Sequence, residues 1–180
     1  IYVSGQNLPY DGSTGAASLI MAGNDIILST INLSNTHQTG IIWGGPGTLV
    51  VQAGNNLDLG NTSGIQTMGN LGFASGLGSR GADLIVAAGI TSELYQARVY
   101  TFFKALKDAG EAYSTELADN PVAAAAIIAD VTANVIEPFL GEADGRQGQI
   151  NMTRSQSKTF GNDSDINIIA RAAINVGRSD

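Results

Sequence analysis

Few side chains in this sequence could carry acid, base or nucleophilic chemistry. His37 is the only histidine and cysteine is absent. A Ser-His-Asp triad therefore has one place to be built, and thiolate chemistry and disulfides have none. His37 lies in the polar run Asn35-Thr-His-Gln-Thr39, with no acids clustered nearby, and reads as a solvated loop histidine. The best acidic constellation is Asp163 with Asp165. Paired carboxylates on one face of a strand scaffold are the machinery of polysaccharide cleavage, so an enzyme would be sought there first. Asp165 immediately precedes a strand pattern, however, and aspartate commonly ends a turn. The calcium-binding repeat Gly-Gly-x-Gly-x-Asp is absent. No calcium, other metal or cofactor is expected.

Other polar and aromatic residues recur at positions that suggest structure. Asn24 and Asn55 share one position of a repeated corner, and Asp25 and Asn56 share the next. Amides stacked on successive layers would bond along the stack. Trp43 beside Gly44-Gly45 could stack on a sugar, but packing at the edge of a layer is the simpler expectation. Tyr100, Phe102 and Phe103 form a cluster that either seats a helix or presents a partner-binding face. Sequons occur at Asn32, Asn61, Asn151 and Asn162 and are read as chance in an Asn/Ser/Thr-rich chain.

The elements that position these residues follow from one pattern. Around Gly54, apolar residues alternate at Leu49, Val51 and Ala53, then at Leu57 and Leu59. Alternation at period two places them on one face of a strand. The Gly54-Asn55-Asn56 corner turns the chain so that the next strand faces the same interior, and a positive φ is expected of its glycine. The pattern repeats at Gly23 and Gly89, and at Arg171 with the glycine lost. The steps are 31, 35 and 82 residues. Removing an insertion of about 50 residues from the last step restores a period of about 32, and self-similarity on that scale marks a solenoid. The expected fold is mainly β, a parallel β-helix with rungs of roughly thirty residues.

Residues 92–141 break the pattern with helical texture. Thr91 or Ser92 is expected to N-cap a first helix, with Glu93 at the positive end of its dipole. Gly110 is expected to end or interrupt that helix. Asn120-Pro121 restarts a second one, alanine-rich, with Ile127, Ile128, Val131 and Val135 on the buried side, and Pro138 and Gly141 stop it. The division is therefore rungs over 1–91, an α-helical hairpin between rungs over 92–141, and a final rung over 142–180. These make one structural unit.

The formal net charge of −7 argues against a nucleic-acid partner, because phosphate binding needs a basic patch. The longest apolar run, Val122–Ile136, carries Asp130 and is too short to cross a membrane. No signal peptide is visible, and the chain reads as a processed or excised piece of something longer.

The segment Gly45–Gly64, the strand Gly81-Ala-Asp-Leu-Ile-Val-Ala-Ala-Gly89, the aromatic helix Val99–Ala112, and the tail segments Gly148–Thr159 and Asp165–Gly177 occur in an order that resembles the C-terminal region of filamentous-haemagglutinin-family exoproteins. The resemblance covers most of the chain. It implies a right-handed β-helix, bacterial two-partner secretion through an outer-membrane pore, an extracellular or cell-surface location, and roles in adhesion or fibre formation. Arg171 departs from the family's corner glycine.

Two functional readings follow. One is a non-enzymatic structural or adhesive segment that meets carbohydrate or a host or neighbouring cell surface and associates with itself through its solenoid ends. Ile1-Tyr-Val3 and Ala173–Val176 are strand-like, with no charge or proline to cap them. The alternative is a carbohydrate-active β-helix enzyme acting on polysaccharide. A third possibility, docking of a protein on the helical insertion, predicts exposed aromatic residues there.

Overall fold

The computed structural model describes residues 2–3, 17–28, 40–44, 47–68, 81–160 and 164–177. The expectations for His37, Asp163, Asn32 and Asn162 fall outside these residues. Twelve short strands and one helical insertion make up the described chain. The first circuit is β1 (Tyr2–Val3), β2 (Ala17–Ala22) and β3 (Ile26–Ile27). The second is β4 (Ile41–Trp43), β5 (Thr48–Ala53) and β6 (Leu57–Asp58). The third opens with β7 (Ile65–Thr67) and β8 (Asp83–Ala88) and closes, after the insertion, with β9 (Gln149–Asn151). The fourth is β10 (Ser157–Thr159), β11 (Ile166–Ala170) and β12 (Ala173–Asn175).

Each strand pairs in parallel with its counterpart one circuit away. Three four-stranded parallel sheets result: β1-β4-β7-β10, β2-β5-β8-β11 and β3-β6-β9-β12. Registers are continuous, so Ala22, Ala53, Ala88 and Ala170 form one column. The corner positions Gly23, Gly54, Gly89 and Arg171 directly follow it, as the repeat predicts. The inward residues Leu49, Val51, Ala53, Leu57, Leu84, Val86 and Ile150 are fully buried in one core between the sheets.

The insertion carries α1 (Gln96–Glu116) and α2 (Pro121–Val131), a π-helical turn at Thr132–Ile136, and α3 (Glu137–Leu140). Four expectations change here. Helical residues are about as numerous as strand residues among those described, so the molecule is mixed α/β rather than mainly β. The hairpin lies inside the third circuit, between β8 and β9, so 149–151 completes that circuit and only the later strands form the last one. The first helix starts at Gln96, with Tyr95 at its N-cap, and runs through Gly110. An isolated glycine in a helix costs only about 1 kcal/mol, which the two flanking turns outweigh. Pro138 does not stop the second helix either. The π turn, with Glu137 N–H bonded to the Thr132 carbonyl, widens the helix immediately before the proline. The chain stays helical to Leu140 and ends at Gly141, whose φ is +73°.

That continuity alters the membrane expectation. Pro121–Leu140 is 20 residues long and holds a window of mean hydropathy 1.5, of which 17% is buried; by length and composition alone it could cross a membrane.

Candidate functional site

The insertion packs on the outer face of the β2-β5-β8-β11 sheet. Val50, Ile85 and Ala87 point outward from β5 and β8 and are fully buried, against Leu94, Val99, Phe102 and Phe139. The sheet is thus covered on both faces at its two middle strands, whose residues are buried throughout. Phe102 stacks on Phe139 with ring centroids 3.8 Å apart and planes 13° apart, and Phe103 meets Phe102 edge-on at 5.4 Å.

The insertion is stitched to the sheet at its neck. Gln52 is the polar residue in an otherwise apolar outward column, and its Nε2 donates to the carbonyls of Ile90 (2.8 Å) and Ser92 (2.9 Å). Thr91 N–H donates to the Leu140 carbonyl at 3.1 Å, and Ser92 Oγ donates to the Phe139 carbonyl. The Arg98 guanidinium donates to the Glu93 and Pro138 carbonyls and lies 5.6 Å from the centre of the Phe139 ring. Ser92 therefore ties the two ends of the insertion together instead of capping α1.

Arg171 completes the neck. Its Nε donates to the Gly89 carbonyl at 2.7 Å, and one terminal nitrogen donates to the carbonyls of Leu140 (3.0 Å) and Gly141 (2.7 Å). The missing corner glycine is thus an arginine clamp, placed in the last circuit to hold an insertion made in the one before it. A planar guanidinium suits this work because its donors fan out in a fixed fork.

The corner residues form a ladder, with pairings that differ in detail from the expected one. Asn55 Nδ2 donates to Asp25 Oδ1 at 2.9 Å, so it crosses to the neighbouring column and not to Asn24. Asn55 Oδ1 accepts from Gln147 N–H and Asn56 Oδ1 accepts from Gln149 N–H. Asn151 Nδ2, part of a sequon, donates to Asp58 Oδ1 at 3.1 Å. Gly54 and Gly23 lack the expected positive φ; only Gly89 among the three corner glycines has it, at +71°. Gly54 is required by close approach, because a Cβ there would run into the Gly23 carbonyl. Nothing lies within 4 Å of a Cβ at Gly23.

Trp43 follows the simpler expectation, packing at the edge of a layer, and not the carbohydrate-stacking one. It points inward from β4 and packs against the core, half-buried, because inward and outward positions alternate from buried Ile41. Phe102 is likewise a packing residue. Tyr100 (70% exposed) and Phe103 (39%) remain on the surface. Asp165 directly precedes β11, its N–H donating to Asp83 Oδ1 at 3.0 Å.

What the molecule presents is therefore the flank of the insertion. An open groove of about 380 Å³ lies between α1 and the π turn, lined by Tyr95, Arg98, Phe102, Asn134, Val135 and Phe139. A second depression, of about 430 Å³, continues along α1 and α2 past Ala105, Ala126, Ile127 and Val131. Ile128, expected on the buried side, is 48% exposed, and Val122 is 81% exposed. The charged face of α1 carries Lys104–Asp108 and Lys107–Glu111 pairs, each at 2.6 Å. The hydrogen bond from Lys104 lowers the Asp108 carboxyl below its ordinary value, and the same bond raises Lys104. Among the described residues no group of three or more His, Asp or Glu side chains is placed to hold a metal ion. Comparison with protein-family models, curated proteins and solved structures finds no match.

Proposed function

We propose that this chain is a non-enzymatic structural or adhesive segment of a bacterial secreted or cell-surface exoprotein, wound as a right-handed parallel β-helix that assembles end to end. The observation that carries the reading is the unbroken register of columns through all four circuits. In such a scaffold the polar corner groups are engaged in joining one layer to the next, as Asp25, Asn55, Asn56, Asp58 and Asn151 are. Side chains that bond neighbouring layers build a rod; they are not held ready for a reacting substrate. The resemblance to filamentous-haemagglutinin-family proteins adds secretion through an outer-membrane partner and contact with carbohydrate or a cell surface. The exposed Tyr100 and Phe103 on the insertion are the residues we assign to that contact.

The test is binding of the purified chain to bacterial and host cell surfaces and to a glycan array, beside a panel of polysaccharides monitored for new reducing ends. Retained binding with no cleavage supports the reading. Cleavage that Asp165→Ala abolishes would replace it with the carbohydrate-active enzyme.

A further inference from the structure

In the β2-β5-β8-β11 and β3-β6-β9-β12 sheets, the inward columns are apolar from one end to the other and in register. The inward column Ile20–Val51–Val86–Ile168 is fully buried at its two middle members and only partly buried at its two outer ones. The column Ile26–Leu57–Ile150–Ile174 behaves alike, with Leu57 and Ile150 at 0% exposure and Ile174 at 41%. Ile166, stacked on buried Leu84, is also 41% exposed. These residues face the core side and gain their exposure from the lack of a further layer among the described residues.

In two of the three sheets the edge strands carry none of the usual guards; in the third, the edge strand β10 carries Lys158. β2, β3, β11 and β12 contain no charged residue and no proline, although edge strands commonly use both to prevent pairing. The outer face is asymmetric. At the β11 edge the insertion covers Ile169, which is 7% exposed, whereas at the β2 edge Leu19 and Met21 are bare at 53% and 54%. Met21 belongs to the same column as Ile169, Met21–Gln52–Ala87–Ile169. A β2 strand laid against β11 would bring the bare residues alongside the covered ones.

We propose that a second copy of this chain docks head to tail on the first. Its β2 lies beside β11 in the register Ser18 to Ile166 through Ala22 to Ala170, and its Ile26 lies beside Ile174. The inference rests on the β-helix reading above. The contact is heterologous, head against tail, so it leaves a free head and a free tail after every addition and builds an open filament, not a closed dimer. Four layers at about 4.8 Å each give a repeat of about 19 Å per copy.

The absence of native cysteine permits a direct test on the full chain. Leu19 and Asn167 occupy one outward column, so within one copy they are three strand spacings apart, about 14 Å. That is beyond the roughly 7 Å reach of a disulfide. In the proposed register they are neighbours across the joint. The Leu19→Cys/Asn167→Cys double variant should give, on mild oxidation, a ladder of covalent oligomers that collapses on reduction. The control Leu19→Cys/Asn175→Cys, on different sheets, should not. Met21→Lys blocks the head and Ile174→Lys blocks the tail; both positions are over two-fifths exposed in a single copy. Each variant alone should sediment as a monomer, and an equimolar mixture as a one-to-one dimer. No ladder, a ladder equally strong in the control, or a mixture that stays monomeric overturns the docking. Circular dichroism separates the two readings: a strand-rich monomer sinks the docking alone, whereas a chain without strand signal sinks the β-helix with it.

Discussion

At the level of single residues, two positions that share one repeat pattern have come to do different work. Gly23 and Gly54 occupy the same corner, yet only Gly54 is pressed against a neighbouring backbone carbonyl. Gly54→Ala should cost about 1–3 kcal/mol, the range for forced overpacking, and Gly23→Ala should stay within about 0.5 kcal/mol; urea unfolding of both variants checks the contrast. Arg171 occupies the same corner and bonds carbonyls that a glycine cannot reach. Hydrogen bonds to a charged group are worth about 1.5–3 kcal/mol each before losses from solvent contact, so Arg171→Ala should lower stability by about 2–4 kcal/mol. Arg171→Gly should lose as much, although it restores the repeat. A neutral Arg171→Gly would show that the corner, and not the clamp, decides this position. Hydrogen exchange at the Leu140–Glu142 amides should accelerate in both variants.

At the level of elements, the insertion is held by its base and free along its length. The Phe102–Phe139 stack lies over the sheet, while Val122 and Ile128 farther along are exposed. Phe102→Ala should destabilise the chain by about 3–5 kcal/mol, as truncation of a buried aromatic does. Tyr100→Ser, at a residue 70% exposed, should leave thermal unfolding unchanged while weakening any surface binding that the insertion carries. The π turn explains how an alanine-rich segment passes a proline without ending. Its cost is a widened, weaker helix wall beside the groove lined by Asn134 and Val135.

At the level of the whole molecule, one sheet needs its insertion and the others do not. Val50, Ile85 and Ile169 lose their cover if residues 92–147 are replaced by a short link, which is sterically reasonable because Gly89 and Gly148 are packed against each other. The shortened chain should keep its strand signal by circular dichroism but bind an apolar dye and aggregate. Retained solubility with no dye binding would mean that the insertion is not a cover but only an appendage.

Much of this architecture was legible in the residues. Leu49, Val51 and Ala53 alternate because strand side chains do, and the same spacing at Gly23, Gly89 and Arg171 located the stacked columns before any contact was known. Local pattern could not settle what depends on residues far apart in the chain. It left Trp43 and Phe102 open between packing and a binding surface, and only the fold shows both packed, Trp43 half-buried and Phe102 buried; it stopped helices at Gly110 and Pro138, and neighbouring turns carried both through. It treated Arg171 as a defect, because the carbonyls it serves lie 30, 31 and 82 residues earlier. By itself, then, the sequence determined the strand periods, the corners and the presence of a helical interruption, all of which arise from neighbours in the chain. The tertiary structure alone decided that Gly54 and not Gly23 must be small, that the interruption falls within a circuit, and that an arginine can replace a corner glycine. Each of those depends on a backbone group brought close by folding.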